Sequence, residues 1–511
     1  MNERQPRRYR FAGRDLTGWI LGLTGAQCLT LGIAVVTAGL VLDGGAPAPL
    51  ALLPLIGGAA LAFARISGMP LWDWLPGHAA LALRRALRLT GWKADLAVSS
   101  ASAAPRATAQ PQLPPSFGRI TLTHVPVPGW CRRQGAGVGV VEDCMDGTVT
   151  ATLRVRGRAF PLEDEGEQDR LVAGWGEALS AFCAEASSIA WVRWSEWAAP
   201  ADLDAHIAHL EQHRAVPPDD PAVVAYRELL DLAASTASAH ETLVSVTVDS
   251  RHLPLRRGRP SRRNRAAARS ETVEVLLEEL RLLGLRLEAA GLAVDPPLSV
   301  AELATAVRLR LNPICRSDLA VRGRSLAAQA GLVSIHNAGP MSTVEHRRYF
   351  EADTSLHRCF QIAEWPRRDV SAGWMEPLLL EGAGVRTVSF TCYPVPPSRS
   401  ARHVNRDATR LVTDAELRER KGFRVGAVHR RAQAAVAERE EELTAGHGDV
   451  EYLGLVAVTA SDPAALEAAC AEYRQLAARA GLELRALDAN HDLAVAAVLP
   501  LGRPLAVRRL G

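Results

Sequence analysis

The stretch from Leu16 to Arg65 constrains this chain more than any other. Gly18–Leu42 is an uncharged, mostly apolar run of 25 residues. At ~1.5 Å of rise per residue it is long enough to span a hydrocarbon core of ~30 Å. The turn Asp43-Gly44-Gly45-Ala46-Pro47 follows, and Ala48–Ala64 supplies a second apolar run ending at Arg65. The second run is near the short limit for a span, so Arg65 would have to extend to the interface. The first is too long for the apolar region of a cleaved signal and has no small-residue cleavage site before Asp43. The pattern predicts a transmembrane hairpin; a buried helical hairpin in a globular core is the alternative, disfavoured by length.

Charge gives the expected orientation. Arg4, Arg7, Arg8, Arg10 and Arg14 precede the first run, Arg84, Arg85, Arg88 and Lys93 follow the second, and the intervening turn has no Lys or Arg. The positive-inside rule then puts both termini in the cytoplasm and predicts a multi-pass protein of the inner (plasma) membrane. Trp72 and Trp74 would sit at headgroup level. His78–Lys93 reads as a basic amphipathic helix, either lying on anionic lipid through Arg84, Arg85 and Arg88 or forming an ordinary solvated face.

The remaining chain is long enough for two or three domains. Hydrophobic residues make up 48% of the sequence, ample for buried cores, and the net charge of +3 produces no global field favouring nucleic acid. Lys93 and Lys421 are its only lysines, a bias that looks like a GC-rich genome rather than selection for bidentate contacts. The eight cysteines form no C-x-x-C pair, the usage of a reducing compartment rather than a disulfide scaffold or zinc ribbon.

The predicted organisation has a membrane hairpin and basic helix (1–98), a linker rich in Ala, Ser, Pro and Gln (99–116), and two α+β domains (117–330 and 331–511). Strands alternating across Asp146-Gly147 predict a β-hairpin. Strands and helices then alternate without a glycine-rich phosphate loop, which predicts an α+β, ferredoxin-like α/β sandwich. Asn405–Ala445 is a charged helical stretch bent near Gly422, and the last elements, including Asp492–Leu499 as a strand, read as β-α-β-β.

Two sets of residues carry a resemblance. One is Ala338-Gly339-Pro340 followed by Glu364-Trp365-Pro366, Val370 and a Leu-rich helix. The other is Glu440-Glu441-Glu442-Leu443 before Gly446, then a strand, a Pro-started helix and Leu499-Pro500-Leu501-Gly502. Together they resemble the N-terminal, non-ATPase half of the VirB/TraC-type conjugation ATPases of type IV secretion. The upstream hairpin resembles the small PrgI-like membrane subunits, a fusion like that of actinobacterial conjugation proteins. In those ATPases the Leu-Pro-Leu-Gly stretch leads into a P-loop domain. Neither lysine here lies in a Gly-Lys-Ser/Thr phosphate cradle, so no motor is expected in this chain. The resemblance implies a non-enzymatic scaffold that docks a separately encoded ATPase, contacts other inner-membrane secretion subunits and needs no cofactor. A type VII secretion subunit with two spans, or a membrane-tethered protein binding nucleic acid or anionic lipid, are the alternatives.

Other candidates are weaker. His206, His209 and His213 fall on one helical face and could hold a transition metal, but no fourth ligand is evident and a solvated helix explains them. Arg251–Arg269 holds eight arginines among Pro, Gly, Ser and Asn. Arg256, Arg257, Arg262 and Arg263 could contact phosphate on nucleic acid or lipid, though no aromatics interleave them, and a basic loop is the plain alternative. No catalytic constellation is present.

Overall fold

The structure is a computed structural model, and it describes residues 9, 11, 25–45, 47–66, 69–94, 108–109, 112–127, 137–157, 159–201, 203–234, 237–251, 253, 262–316, 337–382, 384–420, 422, 424 and 426–505. Its amino-terminal part is a helical hairpin of α1 (Gly25–Asp43) and α2 (Ala48–Phe63). The helices meet through small residues, with Ala34, Ala38, Ala51 and Ala62 buried. The Gln27 amide donates to the Ala62 carbonyl at 2.9 Å. Among the described residues no helix is long and apolar enough to cross a membrane. The 16 residues of α2 rise only ~24 Å, and the described helix α1 contains Gln27 and ends on Asp43. This overturns the expected transmembrane hairpin and the multi-pass inner-membrane placement drawn from it. The hairpin nevertheless exposes a large apolar surface that includes Ile33, Val36, Leu40, Leu53 and Ile56.

A short ribbon of β1 (Arg65–Ile66) and β2 (Met69–Pro70) leads into α3 (Leu71–Ala86). The expected helix over His78–Lys93 stops at Ala86. Its last residues instead form β3 (Gly91–Lys93), which pairs with a strand of the carboxyl-terminal half. β4 (Thr108–Ala109) adds an edge at the opposite end of the same sheet.

Two runs of elements follow in the same order. The first is β5 (Ile120–Val125), β6 (Val138–Asp143), β7 (Thr148–Arg156), α4 (Glu165–Ser180), β8 (Ile189–Pro200), α5 (Asp204–His213), α6 (Pro221–Ala234), β9 (Ser238–Asp249), α7 (Arg262–Ala289), β10 (Ala293–Val294) and α8 (Val300–Leu311). The second is β11 (Ser342–Glu345), β12 (Phe350–Ala352), β13 (Ser355–Glu364), α9 (Glu376–Leu380), β14 (Val385–Val395), α10 (Pro397–Arg420), α11 (Ala427–Thr444), β15 (Asp449–Ala460), α12 (Pro463–Arg479), β16 (Glu483–Ala486) and α13 (His491–Val498). Asp146-Gly147 turns the β6–β7 hairpin, with Gly147 at φ +70°.

Among the described residues the strands β3–β16 lie in one 14-stranded sheet, ordered β3-β11-β12-β13-β15-β14-β8-β9-β7-β6-β5-β4, with β10 on β7 and β16 on β13. The order is a palindrome about the β14–β8 pair, so the halves are structural repeats related by a pseudo-twofold axis. Every pairing in the sheet is antiparallel. The expected ferredoxin-like sandwiches are therefore replaced by a single shared sheet. Strands β8 and β14 are long and buried along most of their length. As sheet edges each would carry a row of buried, unpaired backbone groups, and joining them removes that cost.

Burial follows the two sheet faces. On one face a continuous core runs through both repeats, from Phe117, Leu303 and Leu311 to Phe350, Leu455 and Val498. The other face carries two cores, one under α4 and α7 and the other under α9 and α12. The segment expected as a strand at Asp492–Leu499 is the helix α13, buried over nearly its whole surface. A short apolar run buried on all sides has no period that separates strand from helix.

Helix α3 is clamped to the second repeat. Arg84 donates to Glu345 at 2.9 Å and to Asp492 at 3.2 Å, which places it in an internal bridge between α3, β11 and α13. Burial and the neighbouring Asp492 charge push the Glu345 carboxyl up to about 7, against the pull of Arg84 and Arg85. Burial holds the His357 imidazole down, to about 4, while its ring nitrogens bond Thr459 and the Leu311 carbonyl. The two groups oppose each other. The raised Glu345 pKa favours the folded state below its ordinary 4.5, and that contribution is lost as pH rises through about 7. The depressed His357 pKa contributes above its ordinary 6.5, and that is lost as pH falls toward about 4. Replacing Glu345 with Gln deletes only the first slope. The Tm of Glu345→Gln minus that of the unmodified protein is expected to increase from pH 5 to pH 8; a difference constant across that range would contradict the assignment.

Candidate functional site

The pseudo-twofold arrangement leaves a helical pair inserted at equivalent points of each repeat. Between β8 and β9 it is α5 and α6; between β14 and β15 it is α10 and α11, much longer at 24 and 18 residues. The longer pair forms an arm from the predicted Asn405–Ala445 stretch. It divides near Gly422, which adopts φ +72°. Six arginines and four carboxylates are spread along α10, whereas α11 gathers Glu440, Glu441 and Glu442 near its end.

The root of the arm is fixed by polar contacts to the first repeat and to β15. Glu185, in the α4–β8 connection, accepts from the Ser398 hydroxyl at 2.6 Å and its amide at 3.1 Å. Those two bonds hold the Glu185 carboxyl below its usual range. The Ser180 hydroxyl accepts from the Gly448 amide at 2.8 Å, and the Cys183 thiol donates to the Asp449 carbonyl at 3.2 Å. The Asp449 carboxylate accepts from Ser400 and, at 2.6 Å, from Arg439. Farther out, buried His429 of α11 sits 3.5 Å from Asp414 of α10. Val412 is 51% exposed and Leu417 49% exposed, apolar residues presented on a rigid stem.

A second feature seats the tail. Arg193, 2% exposed in β8, donates to the Thr391 hydroxyl at 3.0 Å, the Leu499 carbonyl at 3.4 Å and the Arg503 carbonyl at 2.6 Å. Burial lowers its pKa to about 10. Arg503 pairs with Asp143 and, at 3.1 Å, with Asp146. Leu499 and Leu501 are buried, and Gly502 adopts φ +65°, where a Cβ would meet the Thr150 hydroxyl at 2.1 Å. The Leu-Pro-Leu-Gly motif thus crosses from the second repeat onto the first. The other motif residues are also engaged in packing. A Cβ on Gly339 would meet the Gln112 carbonyl at 2.0 Å, and Trp365 lies among Phe11, Trp374 and Tyr452.

The remaining candidate residues do not converge. His209 and His213 stack on each other with centroids 4.1 Å apart, while His206 bonds the Tyr226 hydroxyl of α6 instead. Among the described residues no group of three His, Cys, Asp or Glu side chains is placed to hold a metal ion. Arg84 is engaged internally, whereas Arg85 and Arg88 are exposed at the end of α3 and in the turn beyond it. Arg256 and Arg257 lie outside the described residues. Arg262 and Arg263 fall in the first turn of α7, their side chains likewise outside the described part. Arg193 and Glu185 escaped the sequence analysis. The only signal for Arg193 is a cation within the otherwise apolar Trp191-Val192-Arg193-Trp194 strand.

No protein-family model matches this chain, and no curated protein matches it significantly.

The tail seat is open to test. Replacing Arg193 with Met leaves two carbonyls in a dry site, each costing about 1–3 kcal/mol, offset in part by relief of the buried charge. The variant is expected to unfold at lower urea and to be cleaved by trypsin near Arg503 while otherwise folded. Arg193→Lys keeps the charge but cannot reach all three acceptors, and is expected to fall between the two. Unchanged stability and tail protection in Arg193→Met would contradict the seat.

Proposed function

We propose that this chain is a non-enzymatic scaffold of a type IV secretion or conjugative DNA-transfer apparatus, and that its α10–α11 arm docks a separately encoded ATPase. The observation that carries this reading is the arm itself, tied to both repeats at its root and exposing Val412 and Leu417 farther out. A surface held rigid before binding loses little conformational freedom on association. Exposed apolar residues set among charged ones match the mixed composition of interfaces. The arginines of α10 and the glutamates of α11 would set orientation more than affinity. The resemblance of the motif segments to the N-terminal half of conjugation ATPases supports the choice of partner. The uncovered apolar surface of α1 and α2 gives a second contact region for neighbouring subunits of the apparatus, since patches of that kind mark interaction sites.

The test uses the full tagged chain co-expressed with a conjugation-type ATPase from the same genome. Val412→Asp combined with Leu417→Asp changes two exposed side chains of the arm and is expected to leave circular dichroism and Tm unchanged. Loss of interface anchors of about 2 kcal/mol each weakens association by more than ~100-fold, enough to abolish co-purification. Retention of the ATPase by a folded double variant would refute the docking site.

A further inference from the structure

A cavity of ≈410 Å³ lies where α3 meets the second repeat. Trp74 and His78 of α3 form one wall, and β13, α12, β16 and the β11–β12 turn supply the others. Five guanidinium groups line it, those of Arg347, Arg348, Arg358, Arg474 and Arg485, against the carboxylates of Glu467, Glu483 and Asp488. The excess is positive, and the positive groups come from four separate elements, so they converge on the space rather than lying along one solvated face.

Arg358 is the inner member. It is only 8% exposed, and among the described residues its buried Nε has no hydrogen-bond partner. One of its terminal nitrogens reaches Glu467 at 2.5 Å, but the Glu467 side chain is 56% exposed. That carboxylate can therefore swing into solvent and leave Arg358 to another anion. Arg474 lies over the Phe360 ring at 5.1 Å and Arg358 at 5.8 Å, so an apolar ring contacts both cations. Opposite them, the His78 ring stacks on Trp74 with centroids 3.7 Å apart. Its Nδ1 bonds the Trp74 carbonyl at 3.0 Å, and among the described residues its buried Nε2 has no partner. Although burial opposes its charge, Asp488 is held below the usual carboxylate range by His491, Arg358 and Arg347. The five guanidinium groups against three carboxylates leave the cavity lining with a positive excess.

We infer that this cavity binds a small molecule carrying a diphosphate group, with Arg358 exchanging Glu467 for a phosphoryl oxygen and Arg348 and Arg474 closing on the other phosphate. Guanidinium forks match phosphate bidentately, and adjacent phosphates require cations from more than one direction, as the cavity supplies. Its volume lies within the range of ordinary small-ligand sites. Because α3 supplies one wall, the bound anion would also tighten the junction between the amino-terminal hairpin and the second repeat.

The experiment is calorimetric titration of the full chain with inorganic pyrophosphate at low salt, with sulfate at equal ionic strength as the control. Pyrophosphate is expected to bind and to raise Tm, and sulfate to do neither. Arg348→Ala and Arg474→Ala change exposed side chains and should each weaken binding by roughly tenfold or more, the loss of one charge-assisted contact. Glu467→Gln removes the competing carboxylate and is expected to tighten binding, a gain that misfolding cannot produce. ADP binding as tightly as pyrophosphate would assign the site to a nucleotide, and ADP exclusion would assign it to free diphosphate; either agrees with the inference. Absence of pyrophosphate binding, equal binding of sulfate, or affinity unaltered in both Arg348→Ala and Glu467→Gln would overturn it.

Discussion

The pairing of β8 with β14 is the interaction on which the rest of the molecule depends. Seven register pairs, from Arg386 opposite Ala198 to Cys392 opposite Val192, join two repeats that would otherwise each present a long buried strand as an edge. The face beneath carries Trp191 against Tyr393, centroids 6.0 Å apart, within the core common to both repeats. Arg193 reaches from the same junction to Thr391 on the neighbouring strand and to two carbonyls of the tail. Main-chain pairing, apolar packing and a buried cation therefore act at one place. A buried guanidinium is weak evidence for stability by itself, but one with three oriented acceptors fixes which segment crosses there.

The junction also explains the positions of the arms. In an antiparallel central pair, the end of β14 lies beside the start of β8. The root of α10–α11 is consequently set against the α4–β8 connection, where Glu185 and Ser180 receive it. An arm emerging from an isolated sandwich would have no such anchor. In this chain its direction is determined by both repeats, which is what a docking surface needs to present its outer residues in one geometry.

The sequence revealed local elements much better than their assembly. The β6–β7 hairpin follows from Asp146-Gly147, because few residues other than glycine tolerate the turn's positive φ. The break in the charged helical stretch at Gly422 has the same cause. The repeat was hidden because corresponding elements differ in length, 16 residues in α4 but 5 in α9, and share no motif. The shared sheet was hidden because strand pairing between residues some 200 positions apart leaves no periodic trace. Apolar length alone misled at the amino terminus, where 25 residues of uncharged, mostly apolar sequence yield a described helix of 19 that ends on an aspartate. The resemblance motifs were legible as patterns, yet Gly339, Trp365 and Gly502 serve close packing rather than chemistry. The cavity arginines were invisible, since they come from four places in the chain that only the fold brings together.

The central claim is that the two repeats form one cooperative unit through the β8–β14 pair. Hydrogen–deuterium exchange of the full chain across a urea series tests it most directly, with peptides from β7 and β9 read against peptides from β13 and β15. The account expects all four strands to lose protection at a common urea midpoint, because each repeat without the other exposes a long buried strand as an edge. Separate midpoints, with one repeat retaining full protection after the other has exchanged, would contradict it.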